Sequence, residues 1–390
     1  MVQDLWRANI KKVTPFSFNF LYYAAGAFLF PFVVLYYQGL GFTGVQIGLL
    51  SGMVPLLALV GAPLWTGIAD TTGRHRLVMS LTIMVPVIAV LIFPFLKTLG
   101  PVLLLMIVTF FFNAPVTSFA DSATMNMLAG EKEMYGRVRL GGTIGWGLAA
   151  PLAGMLVQAY GLKWAFWGNA ALMFVGLFVS QGFIHGKIER KTSVGGGLRS
   201  LLTDRRWILF LTLAFVAGMA FASTNNYLFP FMKELKANET TMGIALTIST
   251  LSELPVLFFA NRLIRRFKAD GLLLLGMLFT ALRLLLFAAS SSATAVLVIQ
   301  LLQGLTFPAF WVAGVSYANE NAPEGMSATA QGVFSAMIFG FGSAAGGFLG
   351  GVLLGSLGGR NMYLILGAIV LVSTALIALI NRRPSAIKAA

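Results

Sequence analysis

The sequence contains no cysteine, only two histidines and few charges, since Asp, Glu, Lys and Arg make up 10% of its 390 residues. Without cysteine, disulfides and thiolate chemistry are excluded. The histidines, His75 and His185, fall in predicted loops and cannot form a metal site alone. We therefore expect neither a metal nor a cofactor. The period-two alternation of a transmembrane β-barrel is also missing.

Long apolar runs are what the sequence has instead. Hydrophobic residues make up 58% of the chain, and the mean hydropathy is +0.85, which is typical of a polytopic membrane protein. Residues 13–69 include no charged side chain, a length sufficient for two membrane-spanning helices. Only helices and closed barrels satisfy their backbone in lipid. The composition thus predicts an all-α integral membrane protein in a lipid bilayer.

Twelve apolar segments, separated by short polar joints, are the predicted transmembrane helices. We place them at residues 14–37, 44–67, 77–96, 101–128, 138–160, 164–184, 207–232, 241–261, 271–289, 294–319, 327–355 and 361–381. They form two pseudo-symmetric halves of six helices, residues 1–185 and 207–390, joined by a basic cytoplasmic linker at 186–206. A basic turn after the second helix and a glycine-dense fifth helix recur in each half, which indicates an internal duplication.

Positive charge falls mainly on one side of this arrangement. Of 27 Lys and Arg residues, 21 lie in the even-numbered loops and the termini, five in the odd-numbered loops and one inside a span. The positive-inside rule then places both termini in the cytoplasm. It also accounts for the net charge of +14 without nucleic acid as a partner. We expect a monomeric, multi-pass protein of the bacterial cytoplasmic (inner) membrane.

Two pairs of ionisable residues lie inside predicted spans, where charge is costly without a partner or a function. The first pair is Asp121, late in the fourth helix, and Arg139, early in the fifth, so the two are expected to meet across the hairpin. Asn113, Thr117 and Asp121 share one helix face because they are four residues apart. Trp146 follows Arg139 by seven residues, about 10 Å along the helix.

The second pair is Glu253 in the eighth helix and Arg283 in the ninth, both expected near mid-membrane. A carboxylate at that depth can exchange a proton as its surroundings change, and its protonation would bias one conformation of the protein. For both pairs the alternative is an ion pair that only ties two helices together.

The turn GIADTTGRHR at residues 67–76 resembles the signature of the major facilitator superfamily. Its glycines and its acid–base set stand where that motif requires them: Gly67, Asp70, Gly73, Arg74 and Arg76. The resemblance implies the twelve-helix fold of that superfamily and a gating motif that latches conformation without touching substrate.

Within the superfamily, the chain is similar to the lactose permease group of proton symporters for oligosaccharides, nucleosides and phenylpropionate. The similar segments are the aromatic-rich first helix and residues 112–121, 135–147, 282–292 and 300–310. The resemblance implies that Asp121 and Arg139 bind substrate hydroxyls, that Trp146 stacks on a sugar or base ring, and that Arg283 takes part in the proton step.

The tenth helix departs from the pattern of that group. Gln303 and Thr306 occupy the positions of its proton-coupling His and Glu, which leaves Asp121 or Glu253 as proton carriers. Either the coupling is relocated or the protein is an uncoupled facilitator. Other polar residues predicted to line the pathway are Asn19, Tyr23, Asn225, Asn226 and Gln303.

The sequence therefore predicts a secondary active transporter rather than an enzyme. We expect it to move a small polar solute, such as a sugar or nucleoside, together with protons by alternating access. The alternatives are a drug or metabolite exporter working by proton antiport, an uncoupled facilitator, and a non-transporting membrane sensor.

Overall fold

A computed structural model describes residues 2–128, 131–185, 203–323 and 326–382, and in these ranges every regular element is helical. The helices are α1 (Val2–Leu29), α2 (Val33–Gly39), α3 (Gly44–Thr72), α4 (His75–Ile92), α5 (Leu99–Asn113), α6 (Val116–Met127), α7 (Tyr135–Tyr160), α8 (Lys163–Ser180), α9 (Arg205–Glu234), α10 (Glu239–Phe258), α11 (Ala260–Ala289), α12 (Ala293–Ile299), α13 (Phe307–Glu320), α14 (Ser327–Ser335) and α15 (Ser343–Arg382). A 3-10 segment, Gln300–Leu305, joins α12 to α13, and a π-helical segment, Ala336–Gly342, joins α14 to α15.

Ten helical stretches of the described chain are long and apolar enough to cross a membrane. One of them, Ser327–Ile380, has 54 residues, which is about 80 Å of helix and enough for two crossings. It bends at Gly358, where φ is 77° and ψ is 167°. The stretch before and after this bend corresponds to two predicted segments, and the 18-residue α8, which is not among the ten, corresponds to another. Each of the twelve predicted segments therefore coincides with helix. That all twelve cross the bilayer stays a prediction.

Local sequence features set the ends and bends of these helices. Thr43 and Gln46 form a reciprocal capping box at the start of α3, with bonds of 3.3 and 2.9 Å, so both end groups are satisfied. Gly73, with φ of 66°, ends α3 in the left-handed conformation that favours glycine. Pro31 separates α1 from α2. Lys268, with φ of 57°, bends α11 near its start.

The glycine-dense helices pack in the same way in the two halves. A Cβ added to Gly145 of α7 would stand 2.2 Å from the carbonyl oxygen of Phe20 in α1. A Cβ on Gly346 of α15 would stand 2.2 Å from the carbonyl oxygen of Met219 in α9. Only glycine permits backbones to approach this closely. This matching contact is what a duplicated six-helix unit predicts; the linker residues 186–202 lie outside the described residues.

The bundle has two ends, because successive helices run in opposite directions. We call one the basic end: it holds the start of α1, the α3–α4 turn, the α6–α7 connection and the α10–α11 junction. The other, which holds the α2–α3, α7–α8 and α9–α10 turns, we call the opposite end. These names fix position within the molecule, while the side of the membrane that each end faces stays a prediction.

The two halves meet closely at the opposite end. A Cβ on Gly44 of α3 would stand 2.5 Å from the Gly351 carbonyl oxygen of α15, and one on Gly154 of α7 would stand 2.4 Å from the Glu239 carbonyl oxygen of α10. Among the described residues, every hydrogen bond between the halves lies at this end or near the bundle's middle, as between Thr240 and Gln158 at 2.6 Å. The halves are thus closed against each other at the opposite end.

Candidate functional site

The first predicted pair meets as the hairpin spacing indicates. Arg139 Nη1 on α7 donates to both carboxylate oxygens of Asp121 on α6, at 2.8 and 2.7 Å. The same guanidinium donates to Tyr135 Oη at 2.9 Å and to Tyr23 Oη of α1 at 3.1 Å. The side chains remain 43% and 35% exposed for Arg139 and Asp121. We call these four residues the Arg139 cluster; it is an ion pair with two phenols that still has an open face.

An aromatic and amide extension leads from this cluster deeper into α1. Asn113 Nδ2 donates to Tyr22 Oη at 3.2 Å, and the Tyr22 and Tyr23 rings meet edge to face, with centroids 5.5 Å apart. Trp146 is half-buried over Gly26, where an added Cβ would stand 3.2 Å from its ring. Sequence reasoning missed Tyr22, although it stands in the aromatic LYY of the first helix. A cavity beside this extension is lined by Tyr22, Gly26, Phe30, Phe110, Asn113 and Asn169.

The second predicted pair is linked through a third residue rather than in direct contact. Arg283 donates through Nη1 to Gln303 Oε1 and through Nη2 to Gln300 Oε1. Gln303 Nε2 in turn donates to Glu253 Oε1 at 3.0 Å. Arg283 is 5% exposed and also lies over the Phe287 ring, 5.1 Å from its centroid. We call Glu253, Gln303, Arg283 and Gln300 the Arg283 cluster.

The 3-10 segment explains why both glutamines reach the same arginine. Residues three apart eclipse one another in a 3-10 helix, so Gln300 and Gln303 lie one above the other. Gly304 allows α10 to come close, because an added Cβ there would stand 2.1 Å from the Ser252 carbonyl oxygen. Ser252 Oγ also accepts from the Gly304 N–H at 3.2 Å. The neighbouring Glu253 is thereby held against Gln303.

Three buried polar atoms around this cluster have no hydrogen-bond partner within the described residues. They are Arg283 Nε, Gln300 Nε2 and Tyr363 Oη. The Tyr363 ring contacts that of Phe287, with centroids 5.2 Å apart, and Phe287 in turn lies under the Arg283 guanidinium. Buried donors of this kind are normally satisfied by protein or by water.

The two clusters lie on facing helices of the two halves. Thr247 Oγ1 of α10 donates to the Gly147 carbonyl of α7 at 2.9 Å. Arg139 lies eight residues from Gly147 toward the basic end, and Glu253 lies six residues from Thr247 in the same direction. These separations correspond to about 12 and 9 Å along the helices. Both acid–base groups therefore lie on the basic-end side of the α7–α10 contact.

The remaining predicted substrate residues differ in how free they are. Asn19 is 6% exposed, and its amide nitrogen donates to the Pro15 carbonyl of its own helix at 2.9 Å, so its donor is already used. Thr117 is half-buried on α6, while Asn225 is exposed and Asn226 half-buried on α9. Their predicted role in substrate binding stays a prediction.

The gating motif pairs its acid with a histidine that sequence reasoning left aside. His75 Nε2 lies 3.0 Å from Asp70 Oδ1, and the His75 ring stacks on that of His185 with centroids 5.6 Å apart. Burial, followed by the proximity of His75 and Arg76, lowers the pKa of His185 to about 4. Among the described residues, Arg74 and Arg76 form no ion pair with a carboxylate. The histidine stack joins the α3–α4 turn to the chain after α8.

Nothing among the described side chains suggests a metal centre, because no group of three His, Cys, Asp or Glu residues could hold an ion there. The chemistry available in the two clusters is therefore hydrogen bonding, ring stacking and proton exchange at carboxylates.

Comparison with known proteins identifies the family of the chain. A sequence profile of the MFS_1-like family matches residues 16–365. Maltose permease of Geobacillus stearothermophilus is 26% identical over 389 residues, which cover 97% of this chain and 96% of the permease. The nucleoside transporter NupG superposes with a TM-score of 0.86 at 17% identity, covering 96% of this chain and 99% of NupG.

A second solved structure has the same fold at lower similarity. It is a bacterial homologue of the human lysosomal transporter Spinster, in an inward-facing and unoccupied conformation, with a TM-score of 0.75 at 13% identity. It covers 96% of this chain and 97% of its own. Because the family profile spans most of the sequence and these similarities are to transporters, the chain belongs to the MFS_1-like family and is a major facilitator superfamily transporter rather than an enzyme.

Proposed function

We propose that the protein is a proton-coupled secondary transporter for an uncharged, hydroxylated solute of the sugar or nucleoside class. The observation that carries this proposal is the placement of the two clusters. Both Arg139 and Glu253 lie on the basic-end side of a contact at which the two halves are closed. Alternating access requires a site that is open toward one end while the other end is sealed.

The Arg139 cluster is the proposed solute site. Arg139 presents a planar fork with several directed donors, Tyr23 and Tyr135 add phenols, and Trp146 adds a ring face. This combination suits hydroxyl groups next to a flat sugar or base ring better than it suits a bulky cation. The names of two relatives, a maltose permease and a nucleoside transporter, support the same class.

The Arg283 cluster is the proposed proton site. Glu253 is the titratable acid of this cluster, since the side chains of Gln300 and Gln303 are neutral and do not titrate. When Glu253 is ionised, its carboxylate accepts from Gln303 and stabilises the orientation in which Gln303 Oε1 faces Arg283. Protonation removes the negative charge from this chain of hydrogen bonds and leaves the Arg283 charge uncompensated. That difference biases the equilibrium between conformations.

Positive-inside topology supports a cytoplasmic location of the basic end in a bacterial inner membrane. The conformation described here is then inward-facing, like the solved Spinster homologue. The Asp70–His75 pair holds the α3–α4 turn at that end, where the signature motif is proposed to act as a conformational latch.

Solute accumulation in proteoliposomes tests this function. Purified protein is reconstituted, a pH gradient is imposed, and radiolabelled sugars and nucleosides are offered in parallel. The proposal predicts saturable accumulation of one of these classes above equilibrium in the acid-outside gradient, and its collapse with a protonophore. Extrusion of solute against the gradient would instead identify an antiporter, and the absence of saturable flux for both classes would overturn the solute assignment.

One observation favours a second candidate, an uncoupled facilitator. The residues that contact Arg283 directly are neutral glutamines rather than an acid or a histidine. If protonation of Glu253 has no effect on Arg283 through these hydrogen bonds, solute would equilibrate across the membrane without accumulating. Saturable flux that is independent of the imposed pH gradient would select this candidate over the symporter.

A further inference from the structure

A short amphipathic segment follows α10 at the basic end. Pro255 lies in the last turn of α10, the helix is interrupted at Phe259, and α11 begins at Ala260. Helix continues over residues 260–267 and breaks at Lys268, where φ is 57° and ψ is 167°. This segment begins where the chain leaves the apolar span and enters its basic end.

Three arginines share one face of the segment. Arg262, Arg265 and Arg266 are all exposed, and their spacing of three and four residues places them side by side on a helix. On the other side, Leu263 and Ile264 are partly buried against the core. The charge is therefore presented outward on a helix whose other face is anchored.

These arginines have no carboxylate partner in the part of the chain that the structure describes. Their contacts are with aromatic rings: the Arg262 guanidinium lies 5.4 Å from the Phe259 ring centroid, and that of Arg266 lies 5.7 Å from the Phe267 ring centroid. The N–H donors of these guanidinium groups thus remain free to bind an anion, while the aromatic rings lie beside the groups.

Exposed phenylalanines lie beside the arginines. Phe258 is 81% exposed and Phe259 is 42% exposed, with their rings packed edge to face at 4.9 Å. Phe258 ends the apolar helix α10 and the arginines follow it, so we expect these rings at the depth where the hydrocarbon core meets the headgroups. An acyl chain covers such rings, and the adjacent guanidinium forks match phosphate oxygens, to which arginine can donate in pairs.

We propose that Phe258, Phe259 and the arginine face Arg262–Arg265–Arg266 form a binding site for an anionic phospholipid. The phosphodiester and its negative headgroup lie against the three guanidinium groups, and the upper part of an acyl chain lies against the two rings. The site is distinct from the Arg139 and Arg283 clusters and does not depend on which solute is transported. Basic clusters next to transmembrane helices are known to attract anionic lipid.

Native mass spectrometry of the full-length protein tests this site. Protein is released from nanodiscs that contain equal parts of phosphatidylglycerol and phosphatidylcholine, and the ratio of the two retained lipids is measured. The wild type is expected to retain phosphatidylglycerol preferentially. In the R262Q/R265Q/R266Q variant, the ratio of retained phosphatidylglycerol to phosphatidylcholine should fall by about fivefold for each arginine removed. This factor is the equivalent of ~1 kcal/mol for each base near an anionic surface.

A matched variant controls for charge. R74Q/R76Q/R137Q removes three exposed bases from the basic end of the other half and is expected to lower the ratio far less than R262Q/R265Q/R266Q does. A F258S/F259S variant keeps the charge and is expected to weaken retention of both lipids at the site. Thermal unfolding in detergent confirms that each variant is folded before its ratio is read.

Three results would overturn the proposal. The first is an equal loss of phosphatidylglycerol preference in the two arginine variants, which would show that the preference comes from the overall positive charge of the basic end. The second is a wild type without preference. The third concerns inorganic phosphate added as a competitor. If it displaces the same fraction of phosphatidylglycerol from the wild type and from F258S/F259S, the site binds phosphate alone and not a lipid.

Discussion

The two arginines at the centre of the molecule are held in opposite ways. Arg139, in the N-terminal half, forms a direct ion pair with Asp121 and remains 43% exposed. Arg283, in the C-terminal half, is 5% exposed and bonds to two neutral amides, with Glu253 one residue further along the chain of hydrogen bonds. An exposed, paired arginine can exchange partners for a solute, whereas a buried one bonded to amides can respond to a charge at a distance.

The backbone beneath these clusters is alike in the two halves. Gly145 lets α7 pack on α1, and Gly346 lets α15 pack on α9, each with the same close approach to a carbonyl oxygen. The two halves thus share this helix packing and differ in the polar side chains of their clusters. Substitutions in the shared helix packing and in the two clusters test this difference between the halves.

The largest effect is expected from the shared helix packing. Gly145→Ala and Gly346→Ala each place a Cβ 2.2 Å from a backbone carbonyl oxygen, and overpacking of this kind costs about 1–3 kcal/mol or more. Both variants should lose most of the folded, monodisperse protein in size-exclusion chromatography. Gly100→Ala is the control, because an added Cβ there meets nothing within 4 Å. Normal yield of either variant would contradict the described packing.

The next largest effect concerns Glu253. Glu253→Gln fixes the neutral form, so accumulation against a gradient should be abolished while exchange of solute across the membrane continues. Counterflow and gradient-driven uptake are measured on the same proteoliposomes. Glu320→Gln, which removes an exposed carboxylate bonded to Ser316 at 2.6 Å, should accumulate solute normally. Undiminished accumulation by Glu253→Gln would remove this residue from the proton step.

Arg139→Lys should weaken solute binding. Lysine keeps the charge but loses the fork that reaches Asp121, Tyr135 and Tyr23 together. Since one charge-assisted hydrogen bond contributes about 1.5–3 kcal/mol, affinity should fall about tenfold or more. Isothermal titration with the transported solute measures the change, and Arg137→Lys, an exposed neighbour on α7, is the control. Wild-type affinity would indicate that the ion pair only ties α6 to α7.

Substitutions of Gln303 and Gln300 distinguish the roles of the two glutamines in the Arg283 cluster. Gln303→Leu interrupts the path from Glu253 to Arg283, whereas Gln300→Leu removes an Arg283 partner that does not contact Glu253. We expect Gln303→Leu to reduce the accumulation ratio toward equilibrium and Gln300→Leu to keep it while lowering thermal stability. Accumulation ratios measured at several values of pH distinguish the two. Equal loss in both variants would mean that burial of Arg283 alone matters.

The smallest effect is expected at the histidine stack. Burial and the nearby His75 and Arg76 lower the pKa of His185 to about 4, below the unfolded value of about 6.5. The unfolded chain therefore binds a proton first, and stability falls as the pH decreases from about 6.5 to 4. His185→Gln should flatten that part of the profile of melting temperature against pH. An unchanged slope would show that other groups cause the acid sensitivity.

Much of the architecture follows from the sequence. Apolar runs and glycine spacing predicted the helices and their close packing, because burial and backbone contact depend on local composition. The Asp121–Arg139 contact also followed from spacing, since a tight hairpin fixes which residues face each other. The helix at residues 260–267 did not, because the basic sequence there was interpreted as a turn between two spans.

The details of the second cluster could not be predicted for a related reason. Sequence reasoning paired Glu253 with Arg283 directly and assigned Gln303 to solute binding. The 3-10 segment changes the angular spacing between Gln300 and Gln303 and turns both toward Arg283. Tyr22 and His75 were missed because single neutral polar residues in apolar or basic surroundings have many uses.

Cysteine accessibility tests the central claim most directly, because the chain has no native cysteine. Thr117→Cys, one turn from Asp121 on α6, is labelled with a membrane-impermeant maleimide in vesicles of each orientation. The account predicts labelling from the basic end, protection from the opposite end, and increased labelling from the opposite end when the transported solute and protons are added. Labelling from the opposite end alone, without solute, would contradict it.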